Sequence, residues 1–169
     1  MKEEHGRRDG WPERPGIVKG YGIREDEAGL LPWGFVDERM ATSRNYWVCT
    51  TRPDGRPHAA PVWGVWFEGV LYFGTDSRSR KARNLAANPE VVVHLESGDE
   101  CVIFEGVAEE VGDAALRQRV GGAYADKYGL DAVGDAGEDA SPLYALRTRV
   151  AFAWRESDFP VTATRWRLS

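Results

Sequence analysis

From Arg44 the hydrophobic pattern takes on the character of strands. NYWVCTTR, HAAPVWGVWFE and VLYFGTD are rich in aromatic and β-branched residues and are separated by PDGR and by Glu68-Gly69. Asp54-Gly55 and Glu68-Gly69 have the chemistry of hairpin turns, so an antiparallel meander is predicted. The second strand is apolar on both faces, with His58, Ala60, Val62, Gly64 and Trp66 alternating against Ala59, Pro61, Trp63, Val65 and Phe67. A strand of this kind is covered twice, on one side by a barrel interior and on the other by a partner subunit or a flat ligand.

SRKARNLAANP then reads as a short helix with Ala82 and Leu85 inward, Ser77 or Ser79 as its cap and Asn88-Pro89 as its end. EVVVHLES and CVIFEGVAEEV follow as strands around Gly98-Asp99. Asp113 opens a helix through DAALRQRVGGAYADKYG, whose Gly121-Gly122 pair weakens it by roughly 1 kcal/mol per glycine. LDAVGDAGEDASP is an acidic loop. LYALRTRVAFAWR, with Tyr144, Leu146, Thr148, Val150, Phe152 and Trp154 on one face, and VTATRWRLS complete the strands.

Before the meander, PWGFVDERMATS suits a short helix with Trp33, Val36 and Met40 on one side, a lid for one end of a barrel. The first thirty residues mix Gly, Pro and charge without a period. Residues 1–31 are therefore expected to form an extended N-terminal arm, and residues 32–169 one mainly β domain. At least six strands with short turns and two or three peripheral helices are most economically closed as a small antiparallel β-barrel, which removes most open edges.

Composition narrows the function classes. The 169 residues are 42% hydrophobic and carry a formal net charge of -5. One globular, soluble and cytoplasmic domain is expected, since no apolar run has the length of a membrane span and the start MKEEHGRRDG lacks a signal segment. The acidic balance argues against nucleic acid as a partner. Cys49 and Cys101 sit in apolar runs and make neither a disulfide framework nor a metal site.

Against that average, Arg78, Arg80, Lys81 and Arg83 crowd into six positions at a strand-to-helix junction. Cations disfavour a helix start, whose free amides and dipole attract anions, so the cluster makes sense if a phosphate offsets it. A solvated basic helix face is the alternative. No GxGxxG or GxxxxGKS occurs, which argues against Rossmann-type or P-loop nucleotide binding.

GVLYFGTDSRSRKARNLAANPEVVVHLES, continued by CVIFEGVAEEV, resembles the flavin-binding core of the pyridoxamine 5'-phosphate oxidase superfamily of split β-barrels. The matching elements are the strand ending in Thr75, the tripeptide Ser79-Arg80-Lys81, Asn84-Leu85, Asn88-Pro89 and Glu105-Gly106. The resemblance runs from about Arg44 to Val111. It implies that Arg80 and Lys81 hold the cofactor phosphate, with the Thr75 hydroxyl beside them and Ser79 as neighbour; a planar fork and a point charge suit one phosphate.

Departures from the oxidase point to a branch. Where the oxidase has an arginine and a lysine for flavin and pyridoxal, this chain has HAAPVWGVWF, and Cys101 stands where the oxidase has a flavin-reading glutamine. DGRPHAAPVWGVW, NYWVCTT and ATRWRLS look instead like the branch that binds the deazaflavin coenzyme F-420. That resemblance implies a homodimer with the coenzyme in a groove between subunits, its ring lined by backbone groups of Pro61, Val62 and Trp63, and hydride transfer to an unsaturated or quinone-like acceptor. An FMN-binding oxidoreductase on the same scaffold, or a non-catalytic flavin or haem carrier, are the alternatives.

Because the cofactor supplies the difficult chemistry, no catalytic triad, carboxylate pair or metal set is required, and none is found. His58, near the ring segment, is the candidate proton donor to the acceptor; its alternative is an ordinary strand residue. His94 and His5 are not expected as ligands. Trp63 and Trp66 point to opposite faces, so only one of them can stack on a ligand. Trp154 and Trp166 are candidates to cover the groove or to pack the core. Arg147, Arg149, Arg165 and Arg167 can serve an acidic cofactor tail or form a solvated sheet face.

Overall fold

A computed structural model of the chain describes residues 10–130 and 141–168. His5 and most of the acidic loop, residues 131–140, lie outside the described residues. The elements are β1 (Pro12–Glu13), α1 (Trp33–Thr42), β2 (Asn45–Thr51), β3 (Pro57–Phe67), β4 (Val70–Gly74), α2 (Arg80–Ala87), β5 (Glu90–His94), β6 (Glu100–Glu110), α3 (Ala114–Tyr128), β7 (Leu143–Arg155), α4 (Phe159–Thr162) and β8 (Thr164–Arg167).

Six strands in the order β7-β4-β3-β2-β5-β6 close through the β6–β7 ladder into an antiparallel barrel, extended at β7 by β8 and β1. One edge of β7 is shared: Leu143–Ala145 pair with β4, whereas Val150–Ala153 pair with β8. The barrel is split between those two partners. The β3–β4 turn is tight, with Glu68 at φ 51 and Gly69 at φ 75, both in the left-handed region that a two-residue hairpin requires.

The barrel is filled by alternate residues: Tyr46 and Val48 from β2, Val62 from β3, Leu71 and Phe73 from β4, Val93 from β5 and Phe104 from β6. Phe35, Val36 and Met40 of α1 close the end where the Tyr46 hydroxyl donates to the Met40 carbonyl. Trp33 of that helix is only partly buried. At the opposite end of β2, α2 packs over Thr50.

β7 corrects one expectation. Tyr144 and Leu146 face inward as anticipated, but beyond Thr148 the buried positions become Ala151 and Ala153 rather than Val150 and Phe152. The cause is a bulge: Glu105 pairs with Val150 and Gly106 with Thr148, so Arg149 is an extra residue that shifts the strand's phase by one. A Cβ on Gly106 would run into the Arg147 carbonyl, which accounts for glycine there.

A second correction concerns the doubly apolar β3. The outer side of its C-terminal half is covered by α3: Val65, Tyr72, Val111 and Val120 form a separate small core with Phe67, Leu116 and Tyr124 around it. This burial against its own chain explains why α3, capped by Asp113 accepting from the Leu116 amide (2.6 Å), runs unbroken through Gly121-Gly122. Only the N-terminal half, with Ala59, Pro61 and Trp63, keeps an exposed outer side.

Part of the segment before α1 also lies on the barrel. β1 pairs with β8, Arg14 donates to the carbonyls of Val161 (2.6 Å) and Ala163 (3.1 Å), and the Leu31 amide donates to Thr164 Oγ1 (2.8 Å). These contacts are polar, so no apolar period announces them. No helix among the described residues is long and apolar enough to cross a membrane.

Candidate functional site

The turn between β4 and α2 is built from side chains that serve the backbone. Ser79 is the cap of α2, its Oγ accepting from the Ala82 amide (3.0 Å) and lying 3.0 Å from Thr75 Oγ1. Ser77 has no such role. A cap of this kind contributes about 1 kcal/mol. Ala82, Asn84 and Leu85 form the buried face of α2. Arg78 does not join the basic cluster: it is ion-paired with Asp76 at 3.0 Å and projects into solvent.

Arg80, Lys81 and Arg83 are different. Among the described residues, none of their side chains has an ion pair or a hydrogen bond. Arg80 and Arg83 are exposed, whereas Lys81 is half-buried and its ammonium pKa is pushed down by that burial. The alternating arginines of the last strands are all ion-paired. Arg147 reaches Glu109, Arg149 reaches Glu90, and Arg165 and Arg167 share Glu13, each at 2.9 Å. They form a solvated, ion-paired sheet face.

β3 presents an open backbone edge beside this turn. Its residues Pro57–Trp63 pair with β2, but β4 pairs only with Gly64–Phe67. Gly64 fixes which groups face which way. Its amide donates to the Tyr128 hydroxyl (2.9 Å), which in turn donates to the Arg44 carbonyl (2.6 Å), so Tyr128 extends the β2–β3 ladder by one rung. By the alternation of an antiparallel ladder, Ala59, Pro61 and Trp63 then turn their backbone groups to the other, unpaired edge. Proline is tolerated at 61 because its missing N–H would have pointed there. The Val62 side chain is buried in the barrel, so only its backbone is available to a ligand.

Trp63 is 41% exposed and stacks on Tyr128 at 4.4 Å and 7°. Arg44 lies over both rings, 5.4 and 5.5 Å from their centroids. Lys127 completes the clamp by donating to the Tyr46 hydroxyl and the Gly64 carbonyl, each at 2.8 Å. Burial, with Arg44 nearby, holds its pKa down at about 8. Trp66, on the other side of β3, bonds Asp37 (3.1 Å) and stacks on Phe104. Trp166 is in the core and Trp154 packs edge-on against Phe159, so neither is positioned by the open edge.

At the α2 end of the barrel, Asn84 Nδ2 donates to Thr50 Oγ1 (2.9 Å), and Thr50 Oγ1 lies 3.4 Å from His58 Nδ1. His58 is half-buried. Its pKa is lowered first by burial and then by the positive charges of Arg52, Lys81 and Arg80. Arg52 was not singled out from sequence, although it follows Tyr46, Val48 and Thr50 on the same strand face, a parity that points it to this end. Lys127 and Tyr128 carried no motif. His94 bonds the Leu95 carbonyl (2.7 Å) and stacks on Trp47, away from this end.

The assembly has no nucleophile–base pair, and among the described residues no group of three or more His, Cys, Asp or Glu can hold a metal. Burial raises both thiols, Cys101 to about 11, so neither is a thiolate. The chemistry on offer is binding: unpaired cations and two hydroxyls for an anion, next to backbone donors and acceptors along an edge that suits a flat polar ring.

A family model described as pyridoxamine 5'-phosphate oxidase matches residues 35–155. Among solved structures, a conserved hypothetical protein of Mycobacterium tuberculosis is similar at 26% identity and TM-score 0.65, covering 79% of this chain and 89% of that one. An F-420 reductase is similar at 23% identity and TM-score 0.56, covering 72% and 98%. A haem storage protein of Vibrio cholerae is similar at 21% identity and TM-score 0.58, covering 67% and 87%. None of the curated proteins matches the chain.

Proposed function

The chain belongs to the pyridoxamine 5'-phosphate oxidase family, and on that premise we propose that it is a reductase dependent on coenzyme F-420 that delivers hydride to an unsaturated or quinone-like small molecule. The observation that carries the reading is the pairing of an unneutralised basic turn, Arg80 and Lys81, with the open backbone edge at Ala59, Pro61 and Trp63. The donor set fits a phosphate-bearing tricycle. Arg80, Lys81 and the Thr75–Ser79 hydroxyl pair hold the phosphate, and the β3 edge orients the ring.

Reduced F-420, when bound, supplies the hydride. The chain's own residues bind, align and dry the site. Trp63, fixed on one side by Tyr128, shields one flank of the edge from water. His58 is the candidate proton donor from the sequence; its place 3.4 Å from Thr50 Oγ1, at the α2 end of the barrel, supports a role beside the anion rather than beside the acceptor. FMN is the second reading, since the same phosphate group and edge would receive it. Two features favour the deazaflavin: β3 carries no arginine or lysine toward the ring, and Cys101 is buried beside Trp154, where it offers no hydrogen bond. A haem carrier would need an axial ligand; His58 faces the Thr50 hydroxyl through Nδ1, and His94 bonds the Leu95 carbonyl away from the open edge.

The groove would be completed by a second copy of the chain. The outer side of β2, β3 and β5 presents Trp47, Cys49, Ala59, Pro61, Trp63 and Val92 on one continuous face. To test the function, the protein is incubated with reduced F-420 and a panel of enones and quinones while coenzyme oxidation is followed by absorbance. Turnover of at least one acceptor above the protein-free rate is expected. Turnover with FMN and none with F-420 would refute the reading.

A further inference from the structure

The basic turn of α2 does not stand alone at its end of the barrel. Arg52, at the close of β2, is half-buried, and among the described residues its side chain has no ion pair or hydrogen bond; its Nε is fully buried without a partner. A buried unmatched donor on a cation is costly, so it marks a place where an acceptor belongs. The nearest carboxylate influenced by Arg52 and Arg80 is Asp54, and it is already ion-paired with Arg56 at 2.7 Å. His58 lies at the same end of the barrel: its Nδ1 is 3.4 Å from Thr50 Oγ1, which Asn84 of α2 also bonds, and its Nε2 has no partner among the described residues.

Resting on the reading of the α2 turn as an anion site, we propose that Arg52 and His58 complete a four-membered cradle with Arg80 and Lys81 for an acidic group of the ligand, a phosphate or a carboxylate, and that His58 takes up a proton as that anion binds. The cradle draws on three elements, the end of β2, the start of β3 and the start of α2. It is wider than one phosphate held at a helix turn. Every charge that faces His58 is positive: Arg52 from β2, Arg80 and Lys81 from α2. Thr50 and Asn84 are its neutral neighbours. Burial first, and this positive surplus second, hold the imidazole pKa below its ordinary value, so without an anion it is neutral at pH 7. A bound dianion reverses the sign of the local field, so the imidazolium becomes favourable and adds a charge-assisted donor.

The linkage has a definite sign. If anion binding raises the His58 pKa, then anion affinity rises as pH falls through the bound-state value and levels off below the free-state value. Inorganic sulfate is the probe, because its charge is constant across that range. His58 is followed by NMR of its imidazole carbons, and sulfate affinity by calorimetry on the full chain. The expected midpoint lies below the ordinary value of about 6.5 without sulfate and moves up by at least roughly half a pH unit at saturation. Arg52→Gln is expected to weaken sulfate by roughly fivefold or more. His58→Gln should flatten the pH dependence of binding without abolishing binding.

No detectable sulfate binding, an unmoved His58 midpoint, or full affinity in Arg52→Gln would each overturn the proposal. Titrations with F-420 and FMN separate it from the functional reading. Proton-coupled sulfate binding by a chain that takes neither coenzyme leaves the cradle standing and refutes the function. F-420 binding with an unmoved His58 midpoint refutes only the cradle.

Discussion

Lys127 shows how a single buried charge shapes the neighbourhood of the open edge. Among the described residues its ammonium has no carboxylate partner, and it is held by the Tyr46 hydroxyl and the Gly64 carbonyl. Holding that charge costs the folded state stability, which is why its pKa falls to about 8 from an unfolded value of about 10.4. The sign follows directly. Between these two values the unfolded chain binds more protons than the native one, so stability attributable to this group rises with pH across the window and is constant below about 8. Thermal melts of the wild type and of Lys127→Met at a series of pH values should therefore show the wild type gaining on the variant from pH 8 to 10. A difference that stays flat would mean the lysine is not buried as charged. Gly106 is the residue-scale counterpart in the barrel wall: its missing side chain permits the bulge that rotates Val150 and Phe152 out of the interior.

At the scale of elements, the strands and their hairpins were legible because period, β-branching and turn chemistry agree in them. The Ser79–Ala87 segment was legible for the same reason, with cap, apolar spacing and the Asn88-Pro89 stop all consistent. What could not be read was long-range partnership. The phase change in β7 depends on an insertion relative to β6, which alternation along β7 alone cannot reveal. The cover of Val65 and Phe67 by α3 depends on where a helix some fifty residues later returns. α4 is four residues long and offers no period at all. Within the site, Thr75, Ser79, Arg80 and Lys81 fall in one contiguous stretch and so were visible. Arg52 reaches that end from the close of β2, and Lys127 and Tyr128 of α3 brace β3 at Gly64, toward the opposite end; none of the three was visible.

The outer face of β2, β3 and β5 yields an element-scale prediction. Apolar positions in register across three strands, exposed on β3 and half-buried on β2 and β5, call for a cover, and the cover we propose is a second copy of the chain. Static light scattering should return twice the chain mass, and Ala59→Asp, which places a charge in the middle of that face, should shift the population to single chains. A wild type that scatters as one chain would contradict the shared groove.

For the whole molecule, the net charge of -5 is an average over a surface on which most arginines are neutralised by neighbours. Arg52, Arg80, Lys81 and Arg83 escape that neutralisation, and they gather at the one end of the barrel where a strand edge is also unpaired. Positive charge and backbone groups that both lack a partner among the described residues are the ground on which we propose a site for a ligand that brings both an anion and a flat polar ring. The direct measurement is a pair of equilibrium titrations of the purified full chain, with F-420 and with FMN, each followed by coenzyme fluorescence. The account predicts micromolar or tighter binding of F-420 and at least roughly tenfold weaker binding of FMN, a difference of about 1.4 kcal/mol. Micromolar binding of FMN with no binding of F-420 would contradict it.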